Sequence, residues 1–253
     1  MALIIKNKIV LFYSFLLGCF LVTGCSKDSQ SLSGGFNGQG GSTARFAVVG
    51  NYLYTVDARK LSSYNVTDPG NPLPVQVQDV GFEIETIFPF GDKLFIGSTS
   101  VIHIFDITDP GKPAKLSTAI SPTVMRRCDP VVAKDSVAFA TLRSGRECGG
   151  VQSILAVFNI KNILEPFQVN SYTLQAPGGL GYKDSILYVC EPTGLLLFNI
   201  KDGYNPLYMK TLNDGAFFDV IPYGSLLIGW TKTGGTIYNI ENPADPRKLS
   251  LLQ

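Results

Sequence analysis

One histidine in 253 residues leaves nothing from which to build a multi-histidine zinc centre. That residue, His103, lies between Ile102 and Ile104 in a stretch that reads as a strand, where a lone imidazole is more often structural than catalytic. The chain has no G-x-S-x-G elbow, no phosphate-binding glycine loop and no EF-hand loop, so the common signatures of a serine hydrolase, a nucleotide enzyme and a calcium sensor are missing. It also has no cluster of lysine and arginine, which argues against nucleic acid or an anionic lipid surface as a partner. No stretch carries a sustained helical period. These gaps predict a helix-poor protein that is not an enzyme and carries no cofactor.

What is present begins with an address. Lys6 and Lys8 precede an uninterrupted run of apolar and small residues from Ile9 to Gly24, the charged and hydrophobic regions of a secretory signal. The run is short for a spanning helix. It ends in Leu21-Val22-Thr23-Gly24-Cys25, which resembles the bacterial lipobox, and the resemblance implies cleavage before Cys25 and attachment of lipid to it. The alternatives are an uncleaved anchor or a soluble secreted protein. Cys19 is a weaker site, because Leu17 is bulky for the position and an apolar stub would remain. No aspartate follows Cys25 directly, so the expected location is the outer membrane, lipid-anchored and facing the periplasm or the cell exterior.

Residues 26–44 are almost all Ser, Gly, Gln, Asn and Thr, with Phe36 as the one aromatic. Such a segment buries too little apolar surface to offset the entropy of ordering and is read as a flexible tether, reaching on the order of 25 Å. The expected organisation is a signal at 1–24, a lipidated N-terminus and tether at 25–44, and a folded body at 45–253. Losing Lys6 and Lys8 lowers the basic side chains from 21 to 19 against 20 acids, so the mature chain is close to neutral.

The body repeats. An aromatic, Asp or Asn, then Ile or Val recurs as Tyr64-Asn65-Val66, Phe105-Asp106-Ile107, Phe158-Asn159-Ile160, Phe198-Asn199-Ile200 and Tyr238-Asn239-Ile240, spaced 41, 53, 40 and 40 residues apart. A polar turn follows each copy, with Asp68, Asp109, Asn162, Asp202 or Asn242 in one register and a proline at a fixed offset (Pro72, Pro113, Pro166, Pro206, Pro246). Asp and Asn suit that place because their side chains bond the backbone two residues on. Upstream of each copy two apolar runs flank a short polar break, the pattern of a hairpin. Four strands per unit of about 40 to 45 residues is a propeller blade, and five copies predict an all-β propeller of five four-stranded blades rather than an irregular sandwich.

The hairpin, the tripeptide and the D-P-x-x-P turn resemble the LVIVD repeat, a blade common in bacterial lipoproteins of unassigned function. The likeness covers residues 45–253 and is most specific at CDPVVAKDSVAFATLRSGRECGG. It implies a fold and an address, with no activity attached. A departure is Gly179 in PGGLG, where related copies often carry a histidine.

Cys128 opens the first strand of the third copy and Cys148 follows its second strand, which places both at one end of a hairpin. A disulfide between them is expected in an oxidising compartment, worth about 3 kcal/mol by loop closure. It would tie down the insertion between Leu142 and Gly150, which reads equally as a recognition loop or a tolerated surface loop. Cys190 is expected to be buried and unpaired.

Aligning the first strand of each copy places Arg45, Thr86, Asp129, Gly178 and Asp219 around the central channel. Asp129 and Asp219 with Glu85 would suit a cation such as calcium or a polar ligand, with Arg45 and Arg143 as counter-charges; the plainer reading is that they satisfy strand ends or face channel water. The functional expectation is a membrane-anchored module that binds or scaffolds an unidentified protein or glycan. Its rival is a glycosidase-like propeller with Asp129 and Asp219 as paired acids.

Overall fold

Each copy of the repeat forms one antiparallel sheet whose four strands follow sequence order, so every blade is built from a contiguous segment. The computed structural model describes residues 40–99, 101–122, 130–143 and 152–252, all within one compact unit. Cys25, Cys128, Asp129, Cys148 and most of the insertion lie outside the described residues.

Blade one comprises β1 (Phe46–Val49), β2 (Tyr52–Val56), β3 (Lys60–Asn65) and β4 (Leu73–Asp79). Blade two comprises β5 (Ile84–Phe90), β6 (Lys93–Ser98), β7 (Ile102–Asp106) and β8 (Ala114–Ala119). Blade three has β9 (Val131–Lys134), β10 (Val137–Leu142), β11 (Ser153–Asn159) and β12 (Phe167–Leu174). Blade four has β13 (Leu180–Lys183), β14 (Ile186–Glu191), β15 (Gly194–Asn199) and β16 (Leu207–Leu212). Blade five has β17 (Phe217–Tyr223), β18 (Leu226–Thr231), β19 (Gly234–Asn239) and β20 (Arg247–Leu252).

The tripeptide has a structural reason in every blade. Its aromatic sits at a β-bulge between the third and fourth strands, at Tyr64, Phe105, Phe158, Phe198 and Tyr238. The bulge turns the ring inward, and the last four of these rings are buried. The middle residue caps the turn: the carboxamide or carboxylate oxygens of Asn65, Asp106, Asn159, Asn199 and Asn239 accept the amide two residues on at 2.7 to 2.9 Å. The amide of the third residue donates to the hairpin turn, as in Ile200 to Ser185 at 2.8 Å. Three letters thus bend the strand, start the turn and tie the third strand to the first hairpin.

β10 and β14 are buried along their whole length, because a middle strand is covered on both faces by adjacent blades, whereas β20 is exposed throughout. Three apolar clusters join blade one to two, two to three and four, and four to five. Among the described residues no cluster joins blade five to blade one. Phe46 and Trp230, at the ends of this arc, are 58% and 40% exposed.

Candidate functional site

The centre of the propeller is occupied by the chain itself. Residues 40–44, which composition assigns to the tether, pack among the first strands of the blades. The Ser42 hydroxyl accepts the Leu180 amide at 2.7 Å, the Ala44 carbonyl accepts the Ile87 amide at 2.9 Å, and the Thr43 hydroxyl donates to Asp219 Oδ2 at 2.5 Å. Gly41 and Ser42 are buried. The cavity left beside Gly40, Gly41 and Ser42, walled by Phe88, Val132, Leu180 and Val220, is only about 20 Å³, room for a single water. Among the described residues, the boundary between tether and body therefore moves from residue 45 to residue 40.

Asp219 is enclosed by this segment. Its Oδ1 also accepts the Val220 amide at 2.9 Å. A Cβ on Gly179 would lie 2.0 Å from Oδ1, and one on Gly41 would lie 2.1 Å from Oδ2. Two glycines are required because the carboxylate fills the space their side chains would take. Burial raises its pKa, while the bonds from Thr43 and Val220 pull the other way. Burial, with a smaller push from the Asp219 charge, holds the thiol of the free, buried Cys190 well up.

The register of the inner strands departs from the sequence alignment in two blades. Counting back five residues from the left-handed turn residue of each hairpin gives Arg45, Thr86, Pro130, Gly179 and Asp219. The Arg45, Pro130 and Gly179 carbonyls all accept the amide from the corresponding place on the second strand. Gly178 is one residue early, and one residue is the difference between the two faces of a strand; Asp129 lies outside the described residues. Arg45 is exposed and close enough to Glu85 to offset part of the rise that burial gives the Glu85 carboxyl. Arg143 is exposed at the end of β10. Among the described residues no group of three His, Cys, Asp or Glu side chains is placed to hold a metal. His103 is buried, which pulls its pKa down to about 4 with help from the charge of Lys115, so it is a neutral core residue.

A larger space opens on the face that carries the hairpin turns, between blades three and four, with a volume of about 700 Å³. The repeat shows why it is there. At the interface of blades one and two, the Tyr54 hydroxyl on the middle strand donates to the Pro110 carbonyl in the next blade's turn at 2.8 Å; Tyr188 does the same to Pro243 between blades four and five. Between blades two and three Phe95 and Ile163 pack in one cluster instead. At the interface of three and four the equivalent pair is Phe139, which has no hydroxyl, and Gly203, which has no side chain. The space stays open and both residues line it.

Its lining is polar and aromatic. Tyr182 and Tyr204 are half-buried, and the Tyr204 hydroxyl lies 3.3 Å from Ser136 Oγ. Asp135 and Asp184 hold the left-handed turn position with φ of 53° each, where blades one, two and five carry Gly50, Gly91 and Gly224. Asp135 pairs with Lys134. Asp202 is held below the usual carboxylate range by Asn205 and the Tyr204 amide. A second space of about 230 Å³ shares Tyr182 and Asp184. Apart from Asp202, placed as a turn residue, none of these residues carried an expectation from the sequence; the signal available was that two turns read Lys-Asp-Ser and one reads Asp-Gly-Tyr where sibling turns have Gly or Pro.

No family model matches the chain. No curated protein matches it either. Among solved structures it is similar to a protein from Lactobacillus plantarum (TM-score 0.64, 11% identity, 81% of this chain and 73% of that one). It is also similar to the periplasmic gluconolactonase of Pseudomonas aeruginosa (TM-score 0.59, 13% identity, 80% and 67%). A third likeness is to the computationally designed Ika8 protein (TM-score 0.57, 10% identity, 81% and 60%). The chain thus spans three-fifths to three-quarters of the length of these structures, and at such identities the likeness is one of propeller fold alone.

Proposed function

We propose that this protein is an outer-membrane lipoprotein of the LVIVD-repeat kind, lipidated at Cys25, whose propeller binds a ligand outside the cytoplasm and does not catalyse a reaction. The observation that carries this reading is the filled axis. A propeller glycosidase of the kind weighed from sequence would need Asp219 free beside a second acid; here Asp219 is engaged by Thr43 and Val220 and walled by two glycines. The groove between blades three and four is an open, polar surface among the described residues, and recognition commonly resides on such faces of a rigid scaffold. A Cys128–Cys148 disulfide and the insertion it would anchor belong to the same reading.

The test is capture from detergent-solubilised membranes of the native host with tagged full-length chain, alongside intact mass of the membrane-bound form. A diacylglyceryl mass on Cys25 that is lost in Cys25→Ala, together with release of that variant from the membrane, supports the anchor. A soluble chain with its signal intact overturns it. Co-purification of one stoichiometric protein would make that protein, rather than a glycan, the ligand.

A further inference from the structure

We infer that the groove between blades three and four is a carbohydrate-binding site, an inference that rests on the binding-module reading and gives it a ligand class. The repeat supplies an internal control. Four positions around this groove break the pattern of their siblings. Gly203 stands where three sibling turns have Pro69, Pro110 and Pro243; a Cβ there would lie 2.7 Å from Val137 Cγ2, so the glycine admits Val137, and the groove opens beside it and Phe139. Tyr204 stands where siblings have Gly70, Gly111, Leu164 and Ala244, and adds a half-buried ring. Asp135 and Asp184 take a left-handed backbone that glycine holds without strain in the other three blades. Acids occur at that turn position only in the two blades that flank the groove.

The chemistry of the lining selects the ligand. Tyr182 and Tyr204 offer aromatic rings on which the C–H face of a sugar packs, with phenolic hydroxyls beside them. Asp135 is paired with Lys134, and Asp202 is bound within its own turn. The remaining open charges are one acid, Asp184, and one base, Lys201, neither of which has an ion-pair partner among the described residues. A lining with a donor and an acceptor of opposite charge, hydroxyls and aromatic faces suits an uncharged polyhydroxylated ring better than an anion or a cation. The volume of about 700 Å³ lies within the range of small-molecule sites.

The test is saturation-transfer NMR on the full-length chain in detergent micelles, with methyl glucoside, methyl galactoside, methyl mannoside, N-acetylglucosamine, lactose and maltose as probes. Transfer to the ring protons of at least one probe is expected, with affinity falling at least about tenfold in Tyr204→Ala and in Asp184→Gly. Asp184→Gly installs the residue that three sibling turns carry and should keep the melting temperature, whereas Tyr204→Ala also loses core packing and the contact with Ser136 Oγ, so its binding is read below its own melting transition; Tyr204→Phe, which loses the hydroxyl and keeps the ring, retains most of the binding. Absence of transfer from every probe, or transfer that survives both substitutions, overturns the site. Either result leaves the anchor and the protein-capture experiment standing, so the two readings fail separately.

Discussion

The axis and the groove between blades three and four are both spaces left when twisted sheets stand side by side, and the chain treats them in opposite ways. At the axis it inserts residues 40–44, whose two glycines and two hydroxyl side chains fit a narrow passage and satisfy buried polar groups there. In the groove it removes a hydroxyl and a proline and lines the opening with acids and tyrosines. The first space contributes to the integrity of the molecule: residues 40–44 bond to blades two, four and five, reaching across the arc where blades five and one share no apolar cluster. The second keeps its tie between the blades through the Tyr204 hydroxyl, 3.3 Å from Ser136 Oγ, and otherwise departs from its siblings, which is the pattern expected where a repeat gives up local consistency for function.

The largest effect should come from crowding the axis. Gly179→Ala places a Cβ 2.0 Å from Asp219 Oδ1 and 3.1 Å from its Cα, so urea denaturation should show a loss of about 2 to 3 kcal/mol, typical of an overpacked core. A wild-type midpoint in that variant would mean that Asp219 is not packed against Gly179 in the folded state. Next, Thr43→Ala deprives a buried carboxylate of a donor and should cost about 1.5 kcal/mol at neutral pH. The pH dependence sharpens the point. Burial raises the Asp219 pKa from its ordinary 3.8 in the folded chain, so the folded state holds its proton longer. Wild type should therefore lose stability relative to Asp219→Asn as pH rises from below 3.8 toward neutrality; a difference constant with pH would contradict the buried site.

Smaller effects separate the two kinds of blade interface. Tyr54→Phe strands the Pro110 carbonyl and should cost about 1 kcal/mol, while the reverse change at the open interface, Phe139→Tyr, should stay within about 0.5 kcal/mol because its hydroxyl enters the groove. Equal costs would erase the distinction between closed and open interfaces. The smallest change expected is a gain: Asp184→Gly relieves a left-handed aspartate and should raise stability by about 0.5 kcal/mol in thermal melts, less than the strain because glycine also loosens the unfolded chain.

Much of the fold was legible in the letters. The aromatic-Asp/Asn-aliphatic triplet marks a bulge, a cap and a tie in each blade, all local events within a few residues, so a linear reading finds them. Asp219 was correctly singled out as an inner-strand residue, yet its partner Thr43 lies 176 positions away in a segment that composition reads as tether. Low apolar content predicts that a segment cannot build a core, but it does not prevent small polar residues from filling a space others have built. The resemblance to related repeats flagged Gly179 as a departure; only the packing of Asp219 against it supplies the reason. The groove was missed because its residues belong to turns in two blades, and as single turns each is ordinary.

Periodicity, turn chemistry and hydrophobic alternation by themselves determined that this chain forms five antiparallel blades in sequence order, because each depends on residues adjacent along the chain. Tertiary structure alone decided what fills the axis and which interface stays open. Those outcomes depend on the volume left between sheets, a quantity that exists only once residues far apart in sequence stand face to face.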